Sequence, residues 1–210
     1  AQIPSGADAV VMQENTVANG KEITVTHTVK LGEAIRIAGS DIAKKSVVLS
    51  KGKRLTAIDI GLLASIGIDK ASVFRKLKVA LFSTGDELLQ PGDIPQQGKI
   101  FDSNRPMLRA MLKRLGAEVL DLGVIEDDPE KIRDAFTQAD ASADCVITSG
   151  GVSVGEADYT REILEEIGQV DFWKLAIKPG KPLAFGRLNN SLFFGLPGNP
   201  VSAAVTFDQI

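Results

Sequence analysis

From Val79 onward the chain alternates strand-like and helix-like segments, and this alternation restricts the fold more than any other feature. Strand signals fall at 79–83, 118–122, 144–148 and 172–177, with amphipathic segments at 106–115, 129–139 and 158–167 between them. Strands separated by helix-length segments pair in parallel beneath covering helices, so an α/β fold with a mostly parallel sheet flanked by helices is expected. The boundaries have local causes: Pro106 and Pro129 suit a helix's first turn, where a missing amide costs nothing, and Gly116 and Gly168 suit a helix end. A hairpin of 183–188 and 191–196 around Asn189 and Asn190 follows.

The region before this alternation reads as a β-rich module with a short helical linking segment. Val10, Val11 and Met12 precede an Asn19–Gly20 turn, and residues 22–29 alternate with period two. Thr56 and Asp59 form a capping-box start for a helix over Ile60, Leu62, Leu63 and Ile66, ended by Gly67. His27, the sole histidine, shares a face with Ile23, Val25 and Val29 and is expected to be packed or to lie on an edge strand. Ala1 is not a methionine, and the helix opened by Asn199 and Pro200 runs to Ile210 without a stop signal, so a piece of a longer enzyme is expected.

Composition narrows the partners. A hydrophobic fraction of 44% suits a substantial core, and a net charge of −3 is unsuited to a nucleic-acid surface, which needs a basic face to release counterions. The apolar stretch 60–68 is far shorter than the ~20 residues of a membrane span, and the first residues lack a signal-peptide layout, so a cytoplasmic protein is expected. One histidine and one cysteine, Cys145, exclude a zinc cluster and a Ser-His-Asp triad, and Cys145 in an apolar strand reads as an inert thiol.

In an open parallel sheet, ligands bind beyond the carboxyl ends of the strands. The polar phrases fall there: 83–87, 126–128, 149–153 and 178–182. Gly150 and Gly155 have a P-loop's glycine spacing, but Glu156 and Ala157 stand where that motif requires Lys and Ser or Thr, and no GxGxxG opens a βαβ unit. Both nucleotide triphosphatase and dinucleotide dehydrogenase readings therefore fall. What remains is an anion site in which glycine backbone approaches the ligand and Ser149 and Ser153 donate, with Lys174, Lys178 and Lys181 supplying positive charge. Asp86, Glu87, Asp127 and Asp158 would repel an anion unless a hard cation such as magnesium intervenes.

Read together, FSTGDEL at 82–88, SGGVSVGEADY at 149–159, KLAIKPGKP at 174–182 and GLPGNPVSA at 195–203, with IFDSNR at 100–105, resemble the molybdopterin molybdenumtransferase family, which includes the E domain of gephyrin. The resemblance covers essentially the whole chain. It implies part of a β-rich module at 1–41, part of an elongated linking domain at 42–75, and a C-terminally truncated molybdopterin-binding α/β domain at 76–210. The implied reaction is magnesium-dependent insertion of molybdate into adenylylated molybdopterin, with release of AMP, by a homodimer that contacts other molybdopterin-pathway enzymes transiently. By motif position, Thr84, Gly85, Ser149, Gly150, Gly151 and Ser153 would cradle the ligand, and Lys174, Lys178 and Lys181 would hold molybdate and phosphate oxygens. Glu87, Asp127 and Asp158 match acids of metal binding and catalysis, with Glu87 and Asp158 as the metal pair, and Pro197 and Pro200 shape the rim. Arg36 and Asp41 match functional positions of the β module, although 35–41 is less basic than the family pattern.

Two other readings share these residues. A molybdopterin adenylyltransferase has the same α/β domain and glycine loop but lacks the region before residue 76. A gephyrin-like scaffold would keep the site while acting through a receptor peptide.

Overall fold

The structure, a computed structural model, describes residues 2–151 and 158–210, apart from the Asp158 side chain. The chain divides into two compact units, Ala1–Ser72 and Val73–Ile210.

In the first unit, a 3-10 turn at Gln13–Asn15 leads into a hairpin of β1 (Thr16–Asn19) and β2 (Glu22–Val25). The residue Gly20 takes φ +65°, the left-handed conformation this tight turn requires. Helix α1 (Ala57–Ser65) opens with the expected reciprocal box: the Thr56 amide donates to Asp59 Oδ2 at 2.9 Å and the Asp59 amide to Thr56 Oγ at 3.3 Å. Lys53 bonds the same carboxylate at 2.5 Å, and this ammonium, with the Thr56 donors, pulls the Asp59 pKa down to about 2. Two sequence expectations differ here. Residues 10–12 form no strand, Val10 making one backbone bond to Glu33 at 2.9 Å. The strand β2 ends at Val25: Thr26 still bonds the Asn15 carbonyl through its amide and its hydroxyl, at 3.0 Å each, but Asn15 belongs to the 3-10 turn and the partner strand goes no further. His27 therefore lies beyond the strand, exposed, 2.7 Å from Glu33 Oε1.

The second unit contains β3 (Lys78–Thr84), a short parallel pair β4 (Leu88–Leu89) and β5 (Ile100–Phe101), α2 (Asn104–Arg114), β6 (Glu118–Ile125), α3 (Pro129–Ser142), β7 (Cys145–Ser149), α4 (Asp158–Ile167), β8 (Gly168–Lys174), β9 (Pro182–Leu188), β10 (Leu192–Leu196) and α5 (Pro200–Gln209). Its six-stranded sheet has the order β6-β3-β7-β10-β9-β8. The first four strands are parallel, and β9 and β8 extend the sheet in antiparallel pairing.

The period of two in β3 explains the layering. Ala80 and Phe82 face α3 and α4, while Val79 and Leu81 face α2 and α5, so this strand is buried on both sides and reads as a continuous apolar run. Phe136 of α3 stands edge-on to Phe82 at 5.1 Å and to Phe193 of β10 at 5.5 Å, locking the helix to strands on either side of β7. Helix α3 begins at Pro129 behind an Asp128 cap that accepts the Glu130 and Lys131 amides.

The expected strand 172–177 is displaced: β8 starts at Gly168 directly after α4 and ends at Lys174. The residue Gly168 therefore serves sheet packing, since a Cβ there would collide with the Arg187 carbonyl of β9. Helix α2 starts two residues earlier than expected, leaving Pro106 inside its first turn, where proline is tolerated.

Two carboxylates tie the unit together. Asp140, at the end of α3, accepts from the amide and Nδ2 of Asn190, both at 3.0 Å, and from the amide and hydroxyl of Ser191 at 2.9 and 2.7 Å, thereby holding the β9–β10 turn. Asp140→Ala should cost roughly 2–4 kcal/mol in urea unfolding, because buried donors lose their partner; a change below 1 kcal/mol would remove this turn from the stability core. Asp144 is gripped by Arg75 through two 2.6 Å bonds and by the Lys78 amide at 2.9 Å. The guanidinium first, then the amide, hold its carboxyl well below the usual carboxylate range. With the folded pKa below the unfolded one, this contribution is present above the unfolded value and disappears on acidification. Asp144→Asn should therefore show a shallower loss of Tm than wild type between about pH 5 and about pH 2; parallel curves would refute the assignment.

Candidate functional site

The strands β6, β3, β7 and β10 run the same way, so their carboxyl ends form one rim. Two cavities open on it. One, of about 260 Å³, is lined by Thr84, Gly85, Glu87, Asp127, Gly150 and Gly151, together with Ile132, Tyr159, Thr160 and Gly198. The other, of about 140 Å³, shares Thr84, Glu87, Gly150 and Gly198 and adds Ser83, Asn104, Ser149 and Pro200 among others. The 83–87, 127, 149–151 and 198–200 segments thus meet at one place.

Backbone geometry makes this place possible. Gly150 and Gly151 have φ of +90° and +67°, and a Cβ on them would lie 2.9 Å from the Thr84 carbonyl and 2.9 Å from Thr84 Oγ, respectively. The end of β7 can approach the end of β3 only without side chains. The amides are less open than the sequence suggests. The Gly150 N–H donates to the Leu196 carbonyl at 3.2 Å and the Gly85 N–H to the Ile125 carbonyl at 3.3 Å. Gly151 N–H and the Ser149 hydroxyl proton have no acceptor among the described residues.

Charge in the crevice is negative. Both Glu87 and Asp127 line it, and Asp127 is fixed by a reciprocal arrangement: the Asp127 amide donates to Asp86 Oδ1 at 3.0 Å and the Asp86 amide to Asp127 Oδ2 at 3.3 Å. These are hard oxygen donors, suited to a hard divalent cation. Among the described residues, no group of three His, Cys, Asp or Glu side chains gathers as a metal cage. The side chain of Asp158, expected to complete the metal pair with Glu87, lies outside the described residues, as does Ser153; Asp158 itself begins α4.

The lysines stand apart from this pair. Strand β8 runs in the direction of β7, so Lys174 ends on the same rim, but three strand spacings away, about 14 Å at ~4.8 Å each. No lysine lines either cavity. An extended chain over 172–177 would set Lys178 on the same side as Lys174, but the strand stops at Lys174. The segment 175–181 instead folds over α5: the Leu175 amide bonds the Lys181 carbonyl at 2.6 Å, and Gly180, at φ +108°, is packed against Thr206, whose hydroxyl donates to its carbonyl at 3.4 Å. Lys174, Lys178 and Lys181 are exposed. Pro197 is buried at the end of β10, and Pro200 is the first residue of α5 behind the Asn199 cap. Arg36 and Asp41 are exposed in the first unit.

Asn104, Thr160 and Gly198 line the cavities without having been singled out from the sequence. Asn104 lies within the IFDSNR phrase and Gly198 within GLPGNPVSA, so attention to those phrases residue by residue would have found them; Thr160 carries no sequence signal. Cys145 starts β7, at the strand end away from the rim, and burial, aided by the Asp144 charge, pushes its thiol up to about 12.

Comparison with known proteins assigns the class. Residues 80–210 match the family described as probable molybdopterin binding domain, and residues 1–67 match the MoeA N-terminal region (domain I and II). The chain belongs to this molybdopterin-binding family. Similar proteins include a molybdopterin molybdenumtransferase of Haemophilus influenzae, 52% identical over 100% of this chain and 52% of its own length. Gephyrin of Dictyostelium discoideum is 38% identical over 99% of the chain and 33% of its own length. The crystal structure of a molybdopterin biosynthesis MoeA protein from Pyrococcus horikosii superposes with a TM-score of 0.81 at 37% identity, covering 98% of this chain and 51% of that one. The chain spans about half the length of the curated molybdenumtransferases it matches.

Gly151→Ala tests the crevice. The added methyl meets Thr84 Oγ at 2.9 Å and Thr160 Oγ at 3.2 Å in a strained left-handed conformation. Binding of molybdopterin, followed by equilibrium dialysis, should weaken at least about 10-fold while the Tm falls by only a few degrees. Unchanged binding would move the ligand elsewhere.

Proposed function

We propose that this chain is the catalytic portion of a molybdopterin molybdenumtransferase, which inserts molybdate into adenylylated molybdopterin and releases AMP. The observation that carries the proposal is the meeting of left-handed glycines and carboxylates in one crevice at the carboxyl end of a parallel sheet. The family membership of both units supports it, and the match of residues 1–67 favours this reaction over an adenylyltransferase.

In this reading Ser149 and the Gly151 amide donate to the phosphate end of the pterin, and Thr84 closes the cradle beneath them. Glu87, Asp127 and Asp158 would hold magnesium, which when bound neutralises the carboxylates and the anions brought beside them. Lys174 at its own part of the rim, with Lys178 and Lys181 from the loop beyond it, attracts and orients molybdate and phosphate oxygens. The separation of lysines from acids suits a substrate that is long and anionic at two points. Arg36 and Asp41 belong to the same proposal, as do homodimeric assembly, transient contact with enzymes of the same pathway and a cytoplasmic setting. No protein nucleophile is needed, because the sulfurs of the pterin supply the ligands for molybdenum and positioning supplies the rate.

The test is incubation of the protein with adenylylated molybdopterin, molybdate and magnesium, with AMP followed by chromatography. Release of AMP dependent on molybdate and magnesium is expected. Consumption of ATP with formation of adenylylated product would indicate the adenylyltransferase, and absence of turnover with capture of a receptor peptide would indicate a scaffold. Lys178→Ala should raise the molybdate concentration for half-saturation by about 10-fold or more with little change in pterin binding; unchanged saturation would remove this lysine from the site.

A further inference from the structure

Asn104 is only 7% exposed, at the first position of α2. Its Nδ2 donates to Ser149 Oγ at 2.6 Å and to the Gly198 carbonyl at 2.7 Å, so one carboxamide joins the end of β7 to the loop between β10 and α5. A carbonyl oxygen can only accept, and this fixes which end of the amide faces Gly198. Asn104 Oδ1 is left buried with no hydrogen-bond partner among the described residues.

The bond to Ser149 has a directional consequence. A hydroxyl has one proton; when its oxygen accepts from Asn104, that proton points away from the carboxamide, and no described residue accepts it. Ser149 and Gly198 both line the crevice, and a Cβ on Gly198 would lie 3.9 Å from the Gly150 Cα, so the loop held by Asn104 stands directly against the glycine cradle.

We infer that Asn104 is a positioning residue which sets the Ser149 hydroxyl as a donor to an incoming oxyanion and holds the Gly198 loop against the cradle. The inference rests on the crevice being the phosphate end of a pterin site, as proposed above. An orphaned carboxamide oxygen beside a doubly engaged amino group is the arrangement such a role leaves behind, because the amino group has been committed to two partners on different elements.

Asn104→Asp separates polarity from shape. An ionised carboxylate is nearly isosteric but cannot donate; it accepts the Ser149 proton, turns that hydroxyl away from the ligand and repels the Gly198 carbonyl. Burial and the neighbouring carbonyl raise the pKa of the introduced acid, so it becomes protonated as pH falls and regains one donor. Molybdopterin binding by the protein, measured by equilibrium dialysis at pH 8 and at pH 5 and expressed relative to wild type at each pH, should weaken about 10- to 100-fold at pH 8 and recover to within about 5-fold at pH 5. Asn104→Ala should be weak at both pH values. A defect confined to folding would not improve on acidification. In the double variant with Ser149→Ala, Asn104→Asp should cost at least about 3-fold less than it does alone, because only its hold on Gly198 is left to lose.

Affinity of Asn104→Asp equal to wild type at pH 8, an equal deficit at both pH values, or full additivity with Ser149→Ala would overturn the positioning role while leaving the ligand assignment intact. Failure of the wild-type protein to bind molybdopterin at either pH would overturn the ligand assignment and this inference with it.

Discussion

The pairing of β3 with β7 is the constraint on which the rest of the second unit depends. Both strands are central in the sheet and buried by helices on each face, so their residues must be apolar on both sides until the carboxyl ends are reached. There the chemistry changes abruptly: Ser83 and Thr84 end one strand, and Ser149 ends the other with Gly150 and Gly151 just beyond it. Parallel register, Ser83 opposite Ser149, places those ends side by side. The crevice is therefore a product of sheet topology, with the two left-handed glycines as its condition, since any side chain there would separate the strand ends.

Much of this was legible in the sequence. The helices at 57 and 129 begin where a capping residue or proline places them, because capping is a local interaction between residues a few positions apart. The buried strands were legible from their apolar runs. Long-range pairing was not: β8 and Gly168 were misjudged because a glycine after a helix has the same appearance whether it ends the helix or admits a neighbouring strand. His27 falls outside β2 because the partner strand begins only at Thr16, which the alternation of 22–29 does not reveal.

The candidate site divides in the same way. Glu87, Asp127, Gly150 and Gly151 were identified from phrases at strand ends and lie together, because a strand end is a position that the sheet itself specifies. The lysines were placed near them by assuming that extended chain persists through 177, whereas β8 ends at Lys174 and the loop beyond it is directed by contacts with α5. Asn104 stands in the IFDSNR phrase, but its role there depends on two partners distant in sequence, Ser149 and Gly198.

The single cysteine of the chain has a consequence for the kind of ligand this fold can handle. With its thiol protonated up to about 12, Cys145 offers no thiolate under physiological conditions. Cys145 also starts β7, at the end away from the rim, so a ligand seated beyond Ser149 meets no thiolate from this strand with which to exchange.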